Sequence, residues 1–221
     1  MSRSLIWFRR SLRLDDLQAF RLPVEQGHEV ACVVVRDNTH RIGNGSFSDR
    51  TKLYDDALAS LAADLSDIGG KLYVIDGDPV YEIPRALVAN RFTHLWFADE
   101  IEPAGSTRDQ RVLTEAIKLG VKVHTTCDQY LYLPTTFETG TGKPYSVFTP
   151  YKKRCLAQLP GKPVAAPTHV QWIDIDEPVI APRVHGGSTF FCAVHTATAY
   201  SHFTEFCENK ISEYKTKRDI P

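Results

Sequence analysis

Five short apolar runs divide the first 125 residues of the chain. Each is rich in β-branched or aromatic residues and lacks the regular alternation of polar and apolar positions that marks a strand with one solvent-facing side. Runs of this kind are typical of strands that are covered on both faces. We predict strands over residues 4–8, 29–35, 71–75, 93–98 and, more weakly, 121–125.

Apolar side chains at helical spacing lie between these runs. The strongest pattern predicts a helix over residues 49–68 with Ser48 as its N-cap. Another helix is expected to begin near Pro79, because proline suits the first helical turn, and Pro84 is expected to kink it. Further helices are predicted over residues 17–26 and 107–119.

Strands and helices that alternate and are joined by short loops imply a parallel sheet with right-handed crossovers. We therefore predict a Rossmann-like three-layer α/β/α domain with a five-stranded parallel sheet over residues 1–130. Many prolines follow, so residues 131–188 are predicted to form a long extended linker with one short helix near 150–158. The segment 189–221 contains a last predicted helix, over residues 189–215.

Composition and charge exclude several classes of protein. Hydrophobic residues make up 43% of the chain, which excludes a disordered protein. The formal net charge is -1, so a nucleic-acid contact would need a local basic patch or a basic domain outside this chain. The five cysteines have neither redox nor zinc spacing, and no apolar run is long enough to cross a membrane. We expect a cytoplasmic protein with reduced thiols, no metal site and no membrane partner.

Common catalytic motifs are absent from the sequence. Gly43 and Gly45 precede a predicted helix, but Ser48 stands where a dinucleotide fingerprint would have its third glycine, so we interpret them as a loop. There is no P-loop and no G-x-S-x-G elbow. The eight histidines are dispersed and are interpreted as surface or core side chains. No catalytic residue is assigned in this chain.

Charged residues concentrate in two loops, at the carboxyl ends of the first and fourth predicted strands. The first loop contains Arg9 and Arg10, and the second contains Glu100 and Glu102, with Arg108 shortly after. If these two strands are neighbours, the loops face each other at the switch point of the sheet, where ligands bind in such folds. Two interpretations remain open: the charges pair only to neutralise one another, or they line a small-molecule crevice.

Several motifs, in this order along the chain, resemble class I DNA photolyases and cryptochromes. The first lies in residues 7–16, although Ser11 stands where the family usually has aspartate and Leu17 where it usually has asparagine. The resemblance covers nearly the whole chain. Its other motifs are FSDR at 47–50, GDP at 77–79, IEP at 101–103, PYSVFTPYK at 144–152 and RDIP at 218–221.

This resemblance implies the N-terminal, antenna-side part of a deoxyribodipyrimidine photolyase. Such a protein repairs cyclobutane pyrimidine dimers in UV-damaged DNA, using light and an FAD held mainly by a helical domain. That domain would follow this chain, so the chain alone is expected neither to retain flavin nor to repair DNA. Tyr214 matches a flavin-contacting tyrosine and Arg218 a DNA-contacting arginine. A cryptochrome-type blue-light photoreceptor and a stand-alone chromophore- or nucleotide-binding module remain alternatives.

The resemblance also implies an antenna chromophore in the α/β domain. Folate-type antennae use a histidine that Gly45 replaces here and an Asn-Glu pair that Ala104 and Gly105 replace, so a deazaflavin-type chromophore is preferred over folate. Flavin in this site, or an empty site, remains open. Arginine offers a conjugated ring a flat stacking surface and paired donors. The residues expected to line the site are Phe8, Arg9, Arg50, Glu100, Glu102 and Arg108.

The last predicted helix is expected to expose an apolar face that the family's helical domain would cover. Large exposed apolar patches promote association, so self-association through this helix is expected. The residues expected on this face are Phe190, Phe191, Tyr200, Phe203, Phe206 and Ile211.

Overall fold

The computed structural model describes residues 1–37, 49–133, 135–158, 161–182 and 196–218, the side chains of residues 49–52 excepted. Strands and helices alternate through its first 126 residues. The elements are β1 (Arg3–Phe8), α1 (Gln18–Glu25), β2 (Glu29–Arg36), α2 (Asp49–Asp67), β3 (Leu72–Asp76), α3 (Pro79–Ala89), β4 (His94–Ala98), α4 (Pro103–Lys118), β5 (Lys122–Thr126), α5 (Phe148–Leu156), β6 (Gln171–Trp172), α6 (Thr196–Asn209) and α7 (Tyr214–Lys217), with a 3₁₀ turn at Ile211–Glu213.

The five predicted strands form a parallel sheet in the order β3-β2-β1-β4-β5. This confirms the predicted Rossmann-like fold and places β1 beside β4, so that the strand order reverses between them. The sequence pattern missed a sixth strand, β6, which has only two residues and pairs with the start of β2 through Gln171 and Glu29.

Side-chain alternation along the strands divides the core into two layers. Leu5 and Trp7 of β1 lie in the cluster that packs against α3 and α4. Ile6 and Phe8 lie in the opposite cluster, which packs against α1 and α2. Since strands buried on both faces need apolar residues at every position, this three-layer arrangement explains why the strands appear in the sequence as unbroken apolar runs.

Helix starts depend on capping groups that are partly remote in sequence. Asp78 caps α3, because its side chain accepts a hydrogen bond from the backbone of Val80 at 2.9 Å. The carboxylate of Asp128 accepts bonds from the backbone amides of Gln18 (2.9 Å) and Ala19 (3.0 Å), so it caps α1 from the loop that follows β5. The predicted Ser48 cap lies outside the described residues.

Two predicted helices differ from the structure at their starts. The helix predicted from residue 107 begins four residues earlier, at Pro103, because proline fits the first turn of α4. The last helix, predicted over 189–215, is described from Thr196 and ends at Asn209, where a 3₁₀ turn follows. Residues 189–195 lie outside the described residues.

The second half of the predicted linker packs onto the sheet. The backbone amide of Ile180 donates to the carbonyl of Leu72, and that of Val74 donates to the carbonyl of Pro178, both at 2.8 Å. The Trp172 ring lies directly over Gly70, where a Cβ atom would stand 2.5 Å from it. Residues 171–180 therefore complete the core of the α/β unit.

The C-terminal elements expose an apolar surface. Tyr200, Phe203 and Ile211 are each more than half exposed, whereas Phe206 is partly covered by an edge-on contact with the ring of Tyr214. Phe190 and Phe191, expected on the same face, lie outside the described residues. Self-association through this surface stays a prediction.

Candidate functional site

The loops that follow β1 and β4 meet because these strands are neighbours in the sheet. Arg9 comes two residues after Trp7, so it lies on the same side of the sheet, towards α4. The Arg9 guanidinium stacks over the rings of Trp7 and Phe97, at 4.6 Å and 4.9 Å from their centroids. Cation–π contacts of this kind hold the planar group at the switch point.

The Arg9 side chain is buried, and both of its terminal nitrogens donate hydrogen bonds. Nη2 donates to the carbonyl of Ala98, and Nη1 donates to the carboxylate of Asp109 on α4. Burial lowers the pKa of Arg9, and the hydrogen bond to Asp109 opposes that shift. A buried cation is tolerated in a fold when it is paired in this way.

Glu100 is the central anion, with only 4% of its side chain exposed. Its Oε2 accepts a hydrogen bond from Nη2 of Arg108 at 2.7 Å, and its Oε1 forms an ion pair with Nη2 of Arg10 at the same distance. Arg108 also donates to Asp109 at 2.9 Å. A Cβ atom at Gly105 would stand 2.2 Å from Cδ of Glu100, so only glycine at this position leaves room for the carboxylate.

The outer rim consists of one exposed ion pair. Nη1 and Nη2 of Arg10 donate to Oε1 and Oε2 of Glu102 at 3.0 Å and 2.7 Å, and both side chains are about half exposed. This pairing lowers the pKa of Glu102 and raises the pKa of Arg10. We call Arg9, Arg10, Glu100, Glu102, Arg108 and Asp109 the ion-pair cluster.

A narrow cavity of about 10 Å³ lies beside the ion-pair cluster. That volume holds about one water molecule, whereas ligand pockets are usually ~300 Å³ or larger. In the structure the charges pair among themselves, and whether they also line a small-molecule crevice stays a prediction. The cavity is lined by Ile6, Trp7, Phe8, Arg9, Arg10, Ser11, Leu17, Ala19, Ala98 and Gln129.

Three buried polar atoms of this region have no hydrogen-bond partner among the described residues: Nε1 of Trp7, Nε of Arg9 and Oδ2 of Asp109. Buried polar groups in folded proteins are almost always hydrogen-bonded. Two donors and one acceptor are therefore available at this edge of the sheet for a polar ligand or for water.

The model of the family described as DNA photolyase matches residues 4–169, which is more than half of the chain. The chain belongs to the DNA photolyase family. This confirms the resemblance inferred from the ordered motifs.

Relatives within the photolyase family include repair enzymes and cryptochromes. The chain is 26% identical to a deoxyribodipyrimidine photo-lyase of Synechococcus over 98% of its own length and 48% of the enzyme. It is 29% identical to cryptochrome-2 of Gallus gallus over 74% of the chain and 28% of that protein. It is 27% identical to an uncharacterized 31.6 kDa protein of another Synechococcus strain, over 98% of the chain and 79% of that protein. The chain thus spans about half or less of the named photolyase and cryptochrome.

Solved structures share the fold of this photolyase-family chain. A Synechocystis cryptochrome superimposes with a TM-score of 0.79 at 18% identity, over 98% of the chain and 48% of that structure. A photolyase from Sulfolobus tokodaii, described with two FAD molecules, superimposes with a TM-score of 0.69 at 18% identity over 80% of the chain and 40% of that structure.

The structure brings together four of the six residues that were expected to line an antenna site in this family: Arg9, Glu100, Glu102 and Arg108. Phe8 is buried in the core layer that faces α1 and α2, but it touches the narrow cavity. The side chain of Arg50 lies outside the described residues.

Asp109 was missing from the residues expected to line the site. The available signal was its position on α4. It lies three and seven residues before Val112 and Ala116, which form the buried stripe of that helix. A carboxylate at a core position of an amphipathic helix requires a buried cationic partner, and Arg9 supplies it.

The two residues matched to flavin and DNA contacts in the photolyase family lie near the end of the chain. Tyr214 is 55% exposed, and its ring meets only Phe206 among the described aromatic contacts. Arg218 is also exposed. The described residues around them do not by themselves enclose a flavin, and the roles of Tyr214 and Arg218 stay predictions.

A second cluster lies at the opposite edge of the sheet, where the strands begin. The rings of His28 and His94 lie 4.6 Å apart, those of His94 and His124 lie 5.4 Å apart, and Trp96 stacks on His124 at 3.9 Å. Burial lowers the pKa of all three histidines, that of His94 to about 4. We call His28, His94 and His124 the histidine cluster. The three histidines lie far apart in sequence, so the sequence alone did not predict that their rings are in contact.

The described part of the chain contains neither a metal-ligand cluster nor a helix that could cross a membrane. No group of histidine, cysteine, aspartate or glutamate side chains there is arranged to hold a metal ion. Within the same ranges, no helix combines the length and the apolar content that a bilayer crossing requires.

Proposed function

We propose that this chain is the antenna-side part of a photolyase whose complete form uses light to repair cyclobutane pyrimidine dimers in DNA. The observation that carries the proposal is the DNA photolyase match over residues 4–169. The similarity to a named deoxyribodipyrimidine photo-lyase over 98% of the chain supports it. The repair step itself is assigned to residues outside this chain, since Tyr214 and Arg218 do not by themselves form a flavin pocket.

The test of this proposal is repair by the complete protein. The reading frame would be followed past residue 221, and the encoded protein would be illuminated with an oligonucleotide that contains one thymine dimer. Loss of the dimer in light but not in darkness is the expected result. Light-driven flavin reduction with no loss of dimer would instead identify a cryptochrome-type photoreceptor. The similarity to cryptochrome-2 supports this alternative.

A stand-alone chromophore-binding module is the second candidate. It is favoured by the 31.6 kDa relative, of which this chain covers 79%, whereas the chain covers only 48% of the named photolyase. That relative is therefore much shorter than the photolyase. A stop codon directly after Pro221 in the genomic reading frame would support the module, and a frame that continues into a helical domain would contradict it.

The chromophore proposed for the ion-pair cluster is of the deazaflavin type rather than folate. The flat stack of Arg9 on Trp7 and Phe97 suits a conjugated ring. The unpartnered donors on Trp7 and Arg9 and the acceptor on Asp109 suit its polar groups. A folate-type glutamate at position 105 would collide with Glu100. Flavin is a second option, since the Sulfolobus tokodaii photolyase is described with two FAD molecules.

Binding in this region requires the rim to open, because the cavity holds only about one water molecule. Arg10 and Glu102 are the groups that would part, since both are half exposed, while Arg9 and Glu100 are buried. The chain's own residues would then hold the ring flat against Arg108 and keep water away from its inner face.

Titration of this chain with an 8-hydroxy-5-deazaflavin, FAD and a methenyl folate, followed by ligand fluorescence anisotropy, tests the antenna proposal. Deazaflavin is expected to bind most tightly. Arg108→Lys, which keeps the charge but removes the planar group, is expected to weaken that binding several-fold. Arg21→Lys, on an exposed α1 pair with Glu25, is the matched control. Preference for folate, or equal losses in both variants, would contradict the proposal.

A further inference from the structure

The segment of residues 130–165 differs in charge from the rest of the chain. It contains five lysines and arginines against one glutamate, a formal charge of +4, whereas the whole chain has a net charge of -1. It also contains six aromatic residues. A nearly neutral chain contacts nucleic acid only through a local basic patch of this kind.

Helix α5 within this segment rests on an aromatic cluster. The ring of Tyr151 lies 6.1 Å from that of Tyr145 and 6.2 Å from that of Phe137, which is itself 5.0 Å from Tyr132. The hydroxyl of Tyr132 donates to the carbonyl of Gln158, just past the end of the helix. These contacts fix one face of α5, while none of its nine residues is buried.

The exposed side of α5 combines unpaired cations with a bare aromatic ring. Lys152, Lys153 and Arg154 are consecutive and exposed, and in the described part of the chain no carboxylate forms an ion pair with them. Arg154 is held over the Phe137 ring at 5.4 Å. Phe148 is 73% exposed and lies four residues before Lys152, hence on the same helix face.

The lack of ion pairs sets these cations apart from others on the surface. Lys118, Lys210 and Lys217 are also exposed, but each is paired with a glutamate at 2.8 Å or less. Cations without such partners are free to neutralise an external anion. An exposed ring beside them supplies a stacking surface, and bases stack on aromatic side chains whatever their sequence.

We propose that Phe148, Lys152, Lys153 and Arg154, the α5 surface, bind single-stranded nucleic acid. The three cations contact backbone phosphates, and the Phe148 ring stacks on an unpaired base. This activity needs neither flavin nor an antenna chromophore, so it goes beyond the proposed function. The chain as it stands can therefore be tested for it, whatever the outcome of the repair assay.

The test is fluorescence anisotropy of labelled single-stranded DNA, single-stranded RNA and duplex DNA of about 12 nucleotides, a length within the range such sites cover. Three phosphate contacts predict that affinity for single strands falls roughly 20-fold between about 50 mM and about 200 mM salt. Lys152→Gln/Lys153→Gln, with one cation left, is expected to reduce that fall to roughly threefold. Comparison of the DNA and RNA arms shows which strand chemistry is preferred.

Two further variants complete the design. Lys118→Gln/Lys210→Gln removes the same charge from exposed sites outside the α5 surface and is expected to keep the 20-fold salt response. Phe148→Ala is expected to weaken single-strand binding about fivefold or more while leaving duplex binding unchanged. Because all these side chains are exposed, the urea midpoint of each variant should match that of the parent chain.

Three outcomes would overturn the inference. One is the absence of binding at the lower salt concentration. Another is an equal loss of affinity in the two lysine double variants, which would mean that net charge alone is responsible. The last is a Phe148→Ala variant that binds single strands normally but changes the mass measured by light scattering, which would identify the α5 surface as a protein–protein contact.

Discussion

Gly105 provides a sharp test of the ion-pair cluster, because its replacement by alanine should lower the stability of the chain instead of raising it. Alanine in place of glycine inside a helix ordinarily stabilises it by about 1 kcal/mol. Here the new Cβ atom would stand 2.2 Å from Cδ of Glu100 and 2.6 Å from its Oε2. Contacts this short force the Glu100 side chain to move.

The magnitude follows from what Glu100 would lose. Its carboxylate accepts a hydrogen bond from Arg108 and forms an ion pair with Arg10, each at 2.7 Å, and only 4% of the side chain is exposed. Breaking a buried ion pair typically destabilises a protein by about 3–5 kcal/mol. This loss, offset by the helix gain, gives a net destabilisation of about 3 kcal/mol. For a chain of this size that corresponds to a melting temperature lower by roughly 6–12 °C.

Urea unfolding of four proteins measures this effect: the parent chain, Gly105→Ala, Glu100→Ala and the double variant. Once the carboxylate is removed, the alanine at position 105 has no clash and should be neutral or stabilising. The effect of Gly105→Ala is therefore expected to change sign between the two backgrounds. A stabilising or neutral Gly105→Ala in the parent background would refute the packing of Glu100 against α4.

Three other predictions concern stability. Asp128→Ala should lower the free energy of unfolding by about 1–2 kcal/mol, because the remote cap of α1 is lost. Asp128→Asn should lower it less, and equal losses in the two variants would contradict the capping role. Gly70→Ala should displace Trp172, because its Cβ would stand 2.5 Å from that ring; tryptophan fluorescence should change, but not in the Gly161→Ala control, where the site is open. The histidine cluster predicts that stability falls as pH drops from about 6.5, the pKa of an unfolded histidine, towards the pKa of about 4 that burial gives His94. Unfolding takes up protons in that window, so the urea midpoint should be lower at pH 5 than at pH 7. His94→Gln should reduce this difference, and an undiminished difference in that variant would exclude the cluster.

The strands were predictable because their signal is local. Residues 29–35 form an unbroken apolar run, and the structure extends that strand only by Arg36. Strand β6 has no comparable signal, since its two residues pair because Trp172 packs over Gly70 and donates to the carbonyl of Ile68 at 3.0 Å. Contacts that depend on such long-range packing leave no periodic trace in sequence.

The candidate site was predictable only at the level of its loops. The rule that ligand sites lie at the switch point placed Arg9 opposite Glu100 once β1 and β4 were taken as neighbours. The exact ion-pair partners depend on the position of α4 along the sheet, and no local sequence pattern specifies that position. The roles of Asp109 and Gly105 therefore emerged only from the structure: Asp109 neutralises Arg9, and Gly105 makes room for Glu100.

The unequal burial of the ion-pair cluster limits how a ligand could use it. The Arg10–Glu102 pair is half exposed, and exposed pairs contribute only about 0–1 kcal/mol, so it opens readily. Separating Arg9 from Asp109 would leave a buried charge unpaired, which typically destabilises a protein by about 3–5 kcal/mol. A chromophore at this edge would therefore displace the rim and leave the inner pair intact. It would lie against Arg108, which is 23% exposed and also stacks on Trp7, rather than take the place of Arg9.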